Sequence, residues 1–404
     1  MIDHLFVYLD DARGVSLYVG EIFFAARGGK LASSTFRYDG SYLASKAPFP
    51  VDPALPLYAT ARSVNGLPGA MQDCSPDRWG RNLITKQRRA EALSEGRRLA
   101  TLVDADFLIG VSDFARQGAL RFRASEDGEF LGAGTDVPKL LDLPRLLRAA
   151  DAVSRDDDFA AIKVLLDAGT GSLGGARPKA SVRDAERLLI AKFPHPDDQW
   201  DVMAWEKTTL DLAESAGIRV PQSSLTRVDG RSVLLLDRFD RVGSGRVPYM
   251  SAMTLLEARD GDSSDYTEIA ETLPEVGAAT TADLNELWRR VAFSVLVNNT
   301  DDHLRNHGFL HERGGWRLSP AFDMNPNPDA GAIRQTGIGG SYLREDAIES
   351  LRAYAKEFGL DPGTAETLLR EVASAVATWR DVAAGHGVSG SEQQLFADAF
   401  WIPT

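Results

Sequence analysis

The chain has 404 residues, 44% of them hydrophobic and 25% charged. That balance excludes disordered, collagen-like and coiled-coil classes and suggests two or three domains. Its 45 basic and 58 acidic residues leave a net charge of −13, a surface that repels nucleic-acid phosphates rather than gathering them. No apolar run reaches the roughly 18 residues of a membrane-spanning helix. We expect no signal peptide in residues 1–4, no membrane partner and, with Cys74 as the single cysteine, no internal disulfide. A reducing, cytoplasmic setting is the expectation.

Strands are predicted at 5–9 and 15–24, rich in β-branched, aromatic and aliphatic residues, with a turn at 10–14 between them. A third strand at 35–38 closes on Asp39-Gly40, and a loop with Pro48, Pro50, Pro53 and Pro56 follows. Ser75-Pro76-Asp77 predicts a helix start with Ser75 as the cap. Seven basic residues between Arg78 and Arg98 are read as a solvated helix face. Residues 106–122 read as a short helix, a loop and a strand, and the polar stretch 125–135 marks a domain boundary. Helices are predicted at 144–154 and 158–168, strands at 180–183 and 188–192, and a helix over 200–217 that stops at its glycine. Asp229-Gly230 between apolar runs 225–228 and 231–236 predicts a hairpin. After Asp240 the texture turns helical. Leu284, Leu287, Trp288, Val291 and Val295 form a core stripe, and further helices fit 346–358, 362–384 and 391–400.

Three segments carry chemistry. Gly169-Thr170-Gly171-Ser172-Leu173-Gly174 fits G-x-G-x-x-G, whose glycines let backbone amides approach phosphate oxygens. A dinucleotide loop requires a strand before it and a helix after it. Here a helical pattern precedes, and Pro178 argues against a helix beginning at the glycines. A phosphate-covering loop in a strand-rich lobe is preferred. Lys192 ends the apolar strand 188–192, where an ammonium can meet nucleotide phosphates; Glu206, 14 positions later, is its candidate ion-pair partner. Asp301 and Asn306 form D-x-x-x-x-N, and Asp323 follows Asp301 by 22 positions. That is the spacing of a proton-accepting aspartate and two Mg²⁺-binding groups in phosphoryl transfer. His303, His307 and His311 are spaced by four, but Gly308 interrupts any metal-binding helix, and H-E-x-x-H, G-x-S-x-G and Walker motifs are absent.

These segments resemble the HipA family of serine/threonine kinase toxins from bacterial toxin–antitoxin systems. Residues 299–306 are similar to the catalytic T-D-x-H-x-K-N segment, with Arg305 where lysine is common. Residues 318–323 are similar to the metal-binding L-[ST]-P-x-[FY]-D, and residues 172–179 to S-x-x-G-A-x-x-K. Residues 235–241 are similar to the hinge E-R-F-D-R, with Asp237 replacing glutamate, and residues 106–122, with Gly110, Gly118 and Ala119, to the N-terminal subdomain.

The resemblance implies an α+β, protein-kinase-like two-lobed fold. A HipA-type N-terminal subdomain (1–125) would precede an α/β N-lobe with the Gly-rich loop (126–236) and an all-helical C-lobe (237–404). Asp301 would be the catalytic base, and Asn306 and Asp323 would hold Mg²⁺. Gly171, Ser172, Gly174, Gly175, Ala176, Lys179, Lys192, Asp237, Phe239 and His303 would contact ATP. Ser172 would be autophosphorylated, its phosphate disturbing the nucleotide loop. Implied partners are a HipB-like DNA-binding antitoxin, with DNA reached only through it, and a protein substrate such as an aminoacyl-tRNA synthetase. A small-molecule phosphotransferase and a catalytically silent antitoxin-binding module are the alternatives.

Overall fold

The computed structural model describes residues 2–98, 101–132, 137–155, 158–169 and 177–402. The chain divides into two compact units. The first comprises Met1–Asp197, Val228–Arg231 and Asp237–Met250; the second comprises Asp198–Arg227, Ser232–Leu236 and Ser251–Thr404.

The first unit opens with an antiparallel sheet of β1 (His4–Asp10), β2 (Ser16–Arg27), β3 (Lys30–Tyr38), β4 (Arg62–Asn65) and β5 (Leu120–Arg123), in the order β4-β3-β2-β1-β5. Alternation selects the buried face: Leu5, Val7 and Leu9 of β1 and Phe36 and Tyr38 of β3 join one core with Ile22, Leu55, Met71, Leu108 and Phe122. Each such side chain contributes about 1.5–3 kcal/mol by leaving water. A bulge between Val7 and Tyr8 shifts the register to Gly20 and then Tyr18. Gly20 is required there, since a Cβ would lie 2.1 Å from the Arg37 carbonyl oxygen. The prolines of the following loop let it wrap the core: the Tyr38 hydroxyl donates to Leu55 O and accepts from Val51 N.

The helix expected from Ser75 runs over Arg78–Ser94, and its cap is Asp77. The Ser75 hydroxyl is already donating back to Met71 O at 2.7 Å. Extended backbone at Asp77 leaves its carboxylate to accept from Gly80 N at 2.7 Å. Helices Leu143–Arg155 and Phe159–Asp167 follow, the second capped by Asp158. Then β6 (Lys179–Asp184) and β7 (Arg187–Lys192) pair antiparallel, with Lys179 opposite Lys192.

In the second unit, the helix Val202–Ser215 ends before Gly217, whose φ is +78°. β8 (Ser223–Val228) and β9 (Arg231–Asp237) are neighbours joined through Asp229 and Gly230, both at positive φ as the shortest hairpin turns require. The predicted core stripe lies on the helix Thr280–Leu296, with Leu287, Trp288, Val291 and Val295 fully buried.

The expected α+β, kinase-like fold class is present. The expectation of an all-helical stretch over 237–404 is not met: beside its helices the second unit carries a hairpin of Gly308–Glu312 with Gly315–Leu318, and a parallel pair of Ser264–Asp265 with Thr336–Gly337. Three helices differ from expectation. The helix over 346–358 is Arg344–Ala353 followed by a 3-10 turn closed by Gly359 in left-handed backbone. The helix over 362–384 breaks after Val376 and restarts at Trp379, whose ring stacks on Phe400 at 4.3 Å. The last helix spans only Gly390–Leu395, because Phe396 and Phe400 turn inward onto Trp205. Among the described residues, no helix is long and apolar enough to cross a membrane.

Candidate active site

The buried helix Thr280–Leu296 delivers the chain into a loop whose geometry is held from behind. Asn298 adopts left-handed backbone (φ +53°), and its amide donates to Asn327 O at 2.7 Å and Asp329 O at 2.9 Å. Asn327 returns a hydrogen bond from its own amide to Thr300 Oγ1 at 2.8 Å. Asp302 then turns inward. Its carboxylate accepts from the Tyr266 hydroxyl at 2.5 Å and Ser294 Oγ at 3.1 Å, and meets His307 Nε2 at 3.0 Å. Burial alone would raise this carboxyl; His307, Tyr266 and Arg334 outweigh it and hold Asp302 well below the usual range. Arg334 ties the same network by donating to Tyr266 Oη and Ser294 Oγ.

With Asp302 turned in, Asp301 is turned out. It is exposed at the loop tip, yet its affinity for a proton is raised. Partial loss of hydration is the main cause, and the nearby Asp323 and Asp302 carboxylates add to it against the opposing pull of His303. Its Oδ1 accepts from Gln335 Nε2 at 2.5 Å. Asn306 is buried and donates its Nδ2 to the Asp301 carbonyl at 3.3 Å.

Asp323 lies on a segment pinned on both sides. Ser319 N donates to Gly308 O at 2.8 Å, Ala321 N donates to Arg219 O at 2.7 Å, and Met324 O accepts from Thr209 Oγ1 at 2.5 Å. Asp323 itself holds φ +57°, a conformation aspartate tolerates better than most side chains. Thr209 stands three positions after Glu206 on the helix Val202–Ser215, so the two share a face, and Glu206 is 1% exposed. Asp301, Asn306 and Asp323 are thus gathered in the second unit, with the Glu206 helix face beside the Asp323 segment.

The first unit gathers the basic candidates. Lys179 and Lys192 face each other across β6 and β7, both buried. The Lys179 ammonium meets Asp77 at 2.7 Å, 102 positions away in sequence. Asp237 meets Arg187 at 3.3 Å, and the Phe239 ring lies 6.3 Å from that of Tyr249. Gly171, Ser172, Gly174, Gly175 and Ala176 lie outside the described residues.

The hinge-like segment holds a feature that motif reading missed. The Asp240 carboxylate accepts from Arg238 at 2.7 and 2.5 Å, Arg241 at 2.8 Å and Gly118 N at 2.7 Å. The same guanidiniums reach Ala115 O and Arg116 O. Gly118 and the paired arginines in 235–241 were the available signal.

Chemically, an exposed carboxylate with raised proton affinity can take a proton. A second carboxylate and an amide oxygen nearby suit a hard cation that also draws ligands from a phosphate-bearing substrate. Among the described residues, no group of three His, Cys, Asp or Glu side chains could hold a metal by itself. His303, His307 and His311 do not share a helix, since Leu304–Asn306 is one 3-10 turn and Gly308–Glu312 is a strand.

A family model of the HipA-like C-terminal domain matches residues 171–379. The chain belongs to the HipA family. A model of the HipA N-terminal domain matches residues 13–105 as well. Relatives include the putative kinase Y4dM of Sinorhizobium fredii, 30% identical over 136 residues covering 30% of this chain and 32% of that protein. Toxin YjjJ of Escherichia coli K12 is 26% identical over 186 residues, covering 41% of each. The chain matches less than half the length of the curated relatives. A chain of the Shewanella oneidensis MR-1 toxin–antitoxin complex of HipA, HipB and operator DNA has the same fold, with a TM-score of 0.65, 15% identity and coverage of 97% of this chain and 94% of that one.

Proposed function

We propose that this HipA-family chain is an ATP- and Mg²⁺-dependent serine/threonine protein kinase that acts as the toxin of a toxin–antitoxin pair. The observation that carries this reading is the Asp301 carboxylate, exposed at the loop tip, with one oxygen held by Gln335 and its own carbonyl held by Asn306. In this reading Asp301 accepts the proton of a substrate hydroxyl as that oxygen bonds to the γ-phosphorus. Asn306 and Asp323 hold the cation, a fit supported by the oxygen chemistry of the two side chains. The cation, when bound, offsets phosphate charge. Lys192 receives nucleotide phosphates and Glu206 is its ion-pair partner. Lys179 lies alongside, its charge already engaged by Asp77. His303, Asp237, Phe239 and the loop of Gly171, Ser172, Gly174, Gly175 and Ala176 complete the nucleotide contacts, and Ser172 is the autophosphorylation site. The division 1–125, 126–236 and 237–404 belongs to the same reading.

The Shewanella complex contains HipB and operator DNA. By likeness we propose a HipB-like antitoxin for this chain, with DNA reached through it. A net charge of −13 supports that indirect route. A translation component such as an aminoacyl-tRNA synthetase is the proposed target, and the cytoplasm the proposed location. The test is transfer from γ-labelled ATP. Wild-type protein should label itself on Ser172, and Asp301→Ala should lose labelling at an unchanged melting temperature. Undiminished labelling of Asp301→Ala overturns the assignment.

A further inference from the structure

We propose that Gln335 is the positioning residue for the Asp301 carboxylate, an inference that rests on the kinase reading above. Its carboxamide Nε2 donates to Asp301 Oδ1 at 2.5 Å, and its backbone N donates to Thr300 O at 3.0 Å. One residue therefore grips both the peptide before the aspartate and one oxygen of its side chain. The grip matters because Asp301 is exposed. A carboxylate at a loop tip rotates about two side-chain bonds, and a donor fixed on one oxygen leaves the other aimed in a single direction.

Gln335 can act this way because its own segment is rigid. Residues 333–336 alternate outward and inward: Ile333 and Gln335 are exposed, Arg334 and Thr336 buried. Arg334 is tied to Tyr266 and Ser294, and Thr336 Oγ1 donates to Asp302 O at 2.6 Å. Thr336–Gly337 pairs in parallel with Ser264–Asp265, and the Asp265 carboxylate accepts from Gly339 N and Gly340 N. The two neighbours of Gln335 are thus fastened to the same buried network that fixes Asp302. The Gln335 backbone is thereby held in the frame of the Asp301 loop.

The acceptor hydroxyl oxygen forms a bond to the γ-phosphorus, the bond between that phosphorus and the β–γ bridging oxygen breaks, and the hydroxyl proton passes to Asp301 Oδ2. Gln335 touches none of these atoms and acts only through Oδ1.

The test uses two variants of nearly equal length and one observation independent of turnover. Gln335→Met removes the donor and keeps the reach; kcat should fall on the order of 10- to 100-fold, with KM for ATP within about twofold. Gln335→Glu replaces the donor with a like charge and should lose more. A wild-type kcat in Gln335→Met, or a parallel rise in KM, overturns the proposal. Separately, the Gln335 side-chain amide resonances of the full chain should shift on Asp301→Asn, and their indifference to that change also overturns it. If wild-type protein transfers no phosphate while the resonances do shift, the kinase reading fails and the Gln335–Asp301 contact stands apart from it.

Discussion

Asp240 of the first unit and Asp301 of the second meet opposite environments. In the first unit three buried aspartates are answered by arginine. Asp113 meets Arg121 at 2.6 Å and Arg246 at 3.0 Å, Asp10 meets Arg121 at 3.3 Å, and Asp240 is enclosed by Arg238 and Arg241. Burial pushes Asp113 and Asp240 upward and the guanidiniums overcome it, so both are held down. In the second unit Asp302 is also held down, chiefly by His307 and Tyr266, but Asp301 beside it is shifted the other way with Asp323 nearby. Matched charge joins chain segments more than a hundred positions apart. Like charge gathered at a loop tip is unfavourable until a cation or proton arrives.

Breaking the matched cluster should have the largest effect on stability. Asp240→Ala leaves Arg238 and Arg241 beside an emptied site, and we expect a loss of about 3–5 kcal/mol in the urea unfolding of the full chain. The sign of its pH dependence follows from its lowered pKa. The Asp240 contribution is complete above its ordinary value of 3.8 and fades as pH falls below it towards the folded value. The stability gap between wild type and Asp240→Asn should therefore be full at neutral pH and narrow below pH 3.8.

A smaller effect sharpens the same comparison from the backbone side. Gly118 donates its N–H to Asp240 at φ +71°, and a Cβ there would lie 3.1 Å from Tyr249 Cβ. Gly118→Ala should cost about 1–3 kcal/mol by the same measurement. The smallest effect belongs to the exposed pair of Arg305 with Asp260 at 2.7 Å, where Asp260 is 82% exposed. Asp260→Ala should move stability by less than about 0.5 kcal/mol, despite its charge and its distance from Arg305 matching those of the buried pairs.

Local rules carried much of this structure. The hairpin at Asp229-Gly230, the stripe from Leu284 to Val295 and the segments around Asp301 and Asp323 follow from spacing and turn chemistry within a few residues. What escaped depends on partners far along the chain. Nothing near Lys179 announces that Asp77 will take its ammonium, and nothing near Asp301 announces Gln335. The cap fell on Asp77 and not Ser75 because the Ser75 hydroxyl was drawn to the preceding turn. The helix Tyr266–Val276 went unread although Asp265 and Glu268 form its capping box, since Pro274 within it reads as a stop. The breaks near residues 354 and 377 follow the packing of Trp379 and Phe358, which periodicity along one helix does not encode.

In the kinase reading, Asn306 and Asp323 hold a divalent cation beside the Asp301 carboxylate when nucleotide is present. Mn²⁺ standing in for Mg²⁺ reports this directly by electron paramagnetic resonance, titrated with a non-hydrolysable ATP analogue. Asp323→Asn keeps a side chain that tolerates left-handed backbone, so its folding is preserved. We predict nucleotide-dependent Mn²⁺ binding to wild-type protein that weakens at least about tenfold in Asp323→Asn and in Asn306→Ala, a loss of the order expected for removing one charge-bearing or oxygen ligand. Equal Mn²⁺ affinity in all three proteins, at equal melting temperatures, contradicts it.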